Sequence, residues 1–482
     1  MAAAAAGTQV APPARALPIG SRLAFGFGSI AYGIKDNGFA TFLLLYYNQV
    51  VGLPATTVGA AILCALLVEA FVDPLVGFLS DNTRTRWGRR HPWMYASAIP
   101  VAIGWILLWN PPDWGPSAVT WYLFGSALLV RIALSAFEIP ASALGPELSS
   151  DYDERTRLFS YRYLFGWAGG LAMLSLAYAI FLVPDATHPI GLQNGPGYAR
   201  MALFGAVAMV VTIIGSSLGL HREINYLPRV PASHETLAEH VSIFRRTIAN
   251  RAFITLMIAS LFAYTAQGVS FALSNYLYQY VWHFHGADYQ WLAASLLAGA
   301  ALAFVLAPRL SAGGDKPKIG AMLGLGNATL AVLPYVLRQL GLFPDIGSPA
   351  LIPLLLGIFC INTACGVGAF ILGSAMLSDV VEDAEARTGK RSEGIFFSGS
   401  FFIQKTTTGL GTFIAGSVLA FAAFPVAATP ELVTPAIIDR LTLVFICLMF
   451  SLYGIAAAIT SRFPFGRADH LARLERLGVK AG

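Results

Sequence analysis

Apolar residues along this chain fall into long blocks, with polar residues confined to the gaps. Runs such as Ala60 to Val68, Val101 to Trp109, Met201 to Leu220 and Ala293 to Leu306 are long enough, with their flanks, to cross lipid as helices. The pattern predicts about twelve spans of ~20 to 28 residues. Their centres lie near Tyr32, Leu67, Ile103, Leu129, Leu171, Met209, Ala266, Ala298, Leu330, Ile358, Thr408 and Leu448. The predicted class is an all-α polytopic membrane protein, because a helix satisfies its own backbone polar groups in hydrocarbon.

The gaps alternate in charge. One set is basic: Arg84 to Arg90, Arg155 and Arg157, Arg222 to Arg251, Arg309 to Lys318, Arg387 to Arg391, and the C-terminal Arg462, Arg467, Arg473, Arg476 and Lys480. The other set (52–57, 110–117, 184–198, 283–288, 342–349 and 425–435) is rich in Pro and Gly and nearly free of Lys and Arg. The positive-inside rule then puts both termini in the cytoplasm, and the expected location is a bacterial inner (plasma) membrane. The expected organisation is a disordered cytoplasmic tail over 1–20, a six-helix bundle over 21–220, a cytoplasmic linker over 221–250, a second six-helix bundle over 251–463 and a cytoplasmic tail over 464–482. Residues 1–18 lack the basic and apolar regions of a signal peptide.

Composition agrees. Of 482 residues, 56% are hydrophobic and 12% charged, about half the charged fraction of a soluble domain; mean hydropathy is +0.64. The net charge of +5 belongs to the loops, which argues against a nucleic-acid partner. Cys64, Cys360, Cys365 and Cys447 lie in apolar segments without metal-site spacing and read as core residues.

An internal repeat supports two pseudo-symmetric halves. Ser142 to Thr156 aligns without gaps on Ser374 to Thr388, matching Glu147 with Asp379, Asp151 with Asp383 and Arg155-Thr156 with Arg387-Thr388. Both segments follow the fourth span of their half, the arrangement expected of an alternating-access carrier. A second joint runs from Asp73 to His91. Asp73, Gly77 and Asp81 recur every four residues on one helix face, Gly77 leaves room for a neighbouring helix, and Arg84, Arg89 and Arg90 follow at the membrane edge. Gly77, Asp81, Arg84, Arg89, Arg90, Asp379, Asp383 and Arg387 are candidate cytoplasmic gate residues; the plainer reading of the Arg cluster is a topogenic loop.

Ionisable residues inside spans cost roughly 2.5 to 3.5 kcal/mol each and are functional candidates by default. The first half holds Lys35, Asp36, Glu69, Asp73, Arg131, Glu138 and Arg162, and the second essentially Lys405 alone. Glu69 and Asp73 stand one turn apart, so one must take a proton or a cation must sit between them. Oxygen ligation suits sodium or a shared proton; the alternative is a helix-end Asp73 and a Glu69 paired with a basic residue. Arg162 and Lys405 either neutralise these acids or hold ligand hydroxyls. Arg131 is the weakest candidate and reads as a structural partner of an acid. Aromatic residues including Tyr32, Phe370, Phe396 and Phe402 read mainly as bundle core.

The segments Tyr32-Gly-Ile-Lys-Asp36, Glu69-Ala-Phe-Val-Asp73-Pro, Arg84-Thr-Arg-Trp-Gly-Arg89, Glu138-Ile-Pro140 and Ser378-Asp379-Val-Val-Glu-Asp383 resemble the major facilitator superfamily. More narrowly, the chain resembles its glycoside–pentoside–hexuronide:cation symporters, the melibiose-permease group, from about Leu23 to Arg462. The resemblance implies cation binding by Glu69, Asp73 and Glu138. It implies sugar contact by Asp36, Glu138 and Arg162 with Lys35 assisting, and a tie between the halves by Lys405. Glu69 and Glu138 stand where melibiose permease has Asp, and Ser142 and Phe370 stand where it has Trp, so a differently shaped pocket is expected.

No phosphate loop, hydrolase elbow or metal cluster is visible, so neither an ATPase nor another enzyme is expected, and no cofactor is. The expected function is a sodium- or proton-coupled sugar or glycoside symporter, working as a monomer on a small-molecule substrate. A lysophospholipid or amphiphile symporter and a non-transporting membrane sensor are the alternatives.

Overall fold

Proline punctuates the apolar blocks. Pro92, Pro116, Pro196, Pro317 and Pro435 each lie in the first turn of a helix, where a missing N–H costs no hydrogen bond. The computed structural model describes residues 17–149, 152–227, 250–311, 314–388, 393–429 and 431–465. The helices of the first half are α1 (Ile19–Phe27), α2 (Ser29–Asn37), α3 (Ala55–Asn82), α4 (His91–Leu108), α5 (Pro116–Leu148), α6 (Tyr152–Leu176) and α7 (Gly195–His221). Those of the second are α8 (Arg251–Tyr276), α9 (Ala287–Ser311), α10 (Lys316–Gln339), α11 (Leu351–Thr388), α12 (Glu393–Phe421) and α13 (Pro435–Thr460). There are no strands among the described residues.

Among the described residues, ten helices are individually long and apolar enough to cross a membrane. Two more helical passes complete the predicted twelve. One is α12; the other spans residues 19–50, where α1 and α2 are joined at Gly28 and continue into the π-helical segments Gly38–Leu43 and Tyr46–Val50. Helix α7 reaches His221 and a short 3-10 turn, Arg222–Tyr226, follows. Most of the expected linker and tails, at 1–16, 228–249 and 466–482, lies outside the described residues.

Each half packs within itself. In the first, α6 lies against α1 and α2, α5 against α3 and α4, and α7 against α1 and α4. In the second, α8 lies against α12 and α13, α11 against α9 and α10, and α10 against α13. A Cβ on Gly33 would stand 2.0 Å from the Gly166 carbonyl oxygen, so the α2–α6 contact requires glycine there. The main contact between halves is α3 on α12. It is equally close: a Cβ on Gly416 would stand 2.3 Å from the Ala55 carbonyl oxygen.

The halves are also stitched together at the end that carries the connections poor in Lys and Arg. Gln49 donates to Pro425 O (3.1 Å) and accepts from Ala428 N (2.8 Å). Tyr276 donates to Asn48 (2.9 Å), Asn275 to Thr41 O (3.1 Å), Tyr178 to Asn275 (2.7 Å), and Gln193 to Ala428 O (2.7 Å). Aromatic rings fill the space around them: Trp109 stacks on Tyr198 at 5.5 Å, Tyr46 lies 4.6 Å from Tyr198, and Tyr178 lies 4.8 Å from Tyr289 across the halves.

Candidate functional site

Glu69 lies near the middle of α3, 3% exposed, where an unpaired carboxylate would be prohibitively costly. Its partners come from two neighbours of α3. From α5, Arg131 Nη1 donates to Glu69 Oε2 at 2.6 Å, and Ser135 Oγ donates to Oε1 at 3.4 Å. From α12, Lys405 Nζ donates to Glu69 Oε1 at 3.0 Å and to Asp73 Oδ2. The position between the two carboxylates is therefore taken by the chain's own ammonium, supplied by the opposite half. Asp73 Oδ1 and Arg131 Nε are buried without a hydrogen-bond partner.

A second pair lies between α5 and α6. Arg162 Nη2 donates to Glu138 Oε2, and the guanidinium stands over Phe25 at 5.2 Å. Glu138 Oε1 and Arg162 Nη1 are each buried and without a partner. One acceptor and one donor thus remain on adjacent side chains, the pairing that a ligand hydroxyl satisfies. Glu138 pairs with Arg162, whereas Glu69 and Asp73 share Lys405.

On α2, Lys35 is buried over the Tyr32 ring (4.5 Å) and 3.8 Å from Asp36. The Asp36 side chain is 54% exposed although it stands midway along the first pass. A carboxylate at that depth faces a water-filled cavity, since hydrocarbon would not tolerate it.

Arg131, the weakest candidate for a site role and read from the sequence as a structural partner of an acid, pairs with Glu69. The available signal was its spacing: Arg131, Ser135 and Glu138 follow the i, i+4, i+7 pattern of one helix face. The seal residues Asn48, Gln49, Asn275 and Gln193 were missed altogether. Asn48-Gln49 is a polar pair at the end of an apolar run, and such pairs read as loop when no partner is known.

At the basic end, Arg90 pairs with Asp81, and both Arg89 (2.7 Å) and Arg90 (3.2 Å) pair with Glu147 at the end of α5. The repeat reappears in space: Asp379, which aligns with Glu147, is held by Lys316 at 2.8 and 2.9 Å. Each half thus ties the end of its fourth pass to the connection between its second and third. Asp383 is buried, Arg84 is exposed, and the Arg387 side chain lies outside the described residues. One expectation is corrected. A Cβ on Gly77 would meet only Ile139 Cγ2, at 3.7 Å, an ordinary contact, so no close helix approach depends on that glycine. The close approaches lie elsewhere, at Gly33 and Gly416.

A family model described as MFS/sugar transport protein matches residues 24–467. The chain belongs to that family. An uncharacterized symporter of Synechocystis sp. is 26% identical over 93% of this chain and 95% of its own length. The isoprimeverose transporter of Lactiplantibacillus pentosus is 26% identical over 84% of this chain and 80% of its own. In fold, the chain is similar to a crystal structure of a D-xylose-proton symporter, with a TM-score of 0.62 at 13% identity over 92% of this chain and 97% of that one. Membership in the MFS/sugar transport family makes the protein a multi-pass membrane transporter of the major facilitator superfamily, with symporters among its relatives, and not an enzyme. The resemblance carried by the Lys35-Asp36, Glu69-to-Asp73 and Glu138 segments pointed to the same family.

Proposed function

We propose that the protein is a symporter that couples inward movement of sodium or protons to uptake of a sugar or glycoside. The observation that carries this reading is Lys405 bridging Glu69 and Asp73 across the two halves. A coupling cation arriving at Asp73 competes with the ammonium for the same oxygens. Displacing Lys405 then breaks the ion pair that ties α12 to α3, which links occupancy of the site to the movement of one half against the other. Asp36, Glu138 and Arg162, with Lys35 behind them, supply the acceptors and donors for substrate hydroxyls. The isoprimeverose transporter among the relatives supports a glycoside as substrate class. By the positive-inside expectation, the sealed end faces outward and the structure is an inward-facing state.

The test is uptake of candidate glycosides into liposomes containing the purified protein, under imposed sodium or proton gradients. Wild type should accumulate substrate only with a gradient of the coupling ion, and Asp73→Asn should bind substrate but fail to accumulate it. Accumulation by wild type with no ion gradient would overturn the coupling.

A further inference from the structure

We infer that a groove between the basic-end termini of α8 and α13 binds the phosphate headgroup of an anionic phospholipid. The groove, of about 450 Å³, is lined by Arg251, Thr255, Ile258, Ile459, Arg462 and Pro464. Arg251 opens α8 and Arg462 follows the end of α13, so two helices that pack together bring their guanidiniums to one opening. Both arginines are exposed, and among the described residues neither is in an ion pair.

The walls explain why the occupant is a lipid and not a small anion. Ile258 stands two turns from Arg251 into the bilayer, and Ile459 one turn from Arg462. On the same helices Ile254 (38% exposed), between Arg251 and Ile258, and Ile455 (41%), one turn beyond Ile459, also lie outward. Charge therefore sits at the edge of the membrane and an apolar track leads inward from it, matching a phosphodiester followed by acyl chains. Guanidiniums grip phosphate oxygens in pairs through parallel N–H donors. Thr255 lines the same wall with its hydroxyl donating to the Arg251 carbonyl at 2.9 Å, so the phosphate oxygens are left to the guanidiniums and the Thr255 oxygen can accept only from a headgroup hydroxyl. Inorganic phosphate would use the charges but not the track.

The experiment measures lipid retention by native mass spectrometry, with thermal stability followed in parallel, on full-length protein in detergent. The probes are phosphatidylglycerol, phosphatidylethanolamine and inorganic phosphate. Wild type should retain phosphatidylglycerol in preference to phosphatidylethanolamine and gain stability from it. Arg251→Gln and Arg462→Gln should each weaken that retention about fivefold, and the double variant about twenty-five-fold. Lys in place of each Arg should restore part of it, and it serves as the readable variant if a Gln variant fails to fold. Equal retention by wild type and the folded double variant would overturn the inference. So would equal retention of the two lipids, or full competition by inorganic phosphate.

Discussion

At the scale of single residues, Arg131 and Lys405 divide the work of neutralising Glu69. Arg131 comes from the same half as Glu69 and is buried with it, so its pairing persists while the halves move. Lys405 comes from the other half and its side chain is 26% exposed, so its pairing is the one that breaks. Removing one member of a buried ion pair costs about 3 to 5 kcal/mol. Arg131→Met should therefore lower the apparent Tm of the detergent-solubilised protein markedly, and adding Glu69→Gln should recover much of the loss. Lys405→Ala should be milder in stability because Arg131 remains, but it should abolish ion-driven accumulation. An equal loss of stability in both single variants would count against this division of roles.

At the scale of elements, the close crossings decide what can slide. The α2–α6 contact at Gly33 lies within one half, whereas the α3–α12 contact at Gly416 lies between halves. Gly33→Ala forces backbone against backbone inside a unit that stays intact, and should reduce expression and Tm in every state. Gly416→Ala wedges the halves apart at the sealed end, and should favour the state open on that side. Spin-label distances across the seal should lengthen in that variant while its Tm stays closer to wild type. Helix positions and the acidic pairs of the site were legible in the sequence, because hydropathy blocks and intramembrane charges are strong local signals. The choice between an acid and a ligand as partner was not. Lys405 and Glu69 are separated by 336 positions, and nothing local distinguishes a lysine that meets substrate from one that meets two carboxylates. Gly77 misled for the same reason: small residues occur at tight and at loose crossings alike.

At the scale of the whole molecule, the described state is held by polar stitches at one end and by one lysine at mid-depth. Gln49 makes two hydrogen bonds to the opposite half, each contributing about 1 kcal/mol. Gln49→Ala should move the balance between the two access states by about 30-fold, visible as faster labelling of a cysteine placed among the sealing aromatics. Unchanged labelling would mean that the rings and the α3–α12 crossing hold that end closed without the stitches. The Lys405 bridge also has an electrical consequence. Without a coupling cation, Glu69 and Asp73 are balanced by Arg131 and Lys405, and the site carries no net charge. A bound monovalent cation displaces Lys405 from the carboxylates but does not remove its charge from the protein, so the loaded carrier gains one positive charge while the returning empty carrier has none. Membrane voltage, worth about 2.3 kcal/mol per charge per 100 mV, then drives only the loaded half of the cycle. Uptake should produce an inward current, and hyperpolarisation should accelerate import without hastening the empty return.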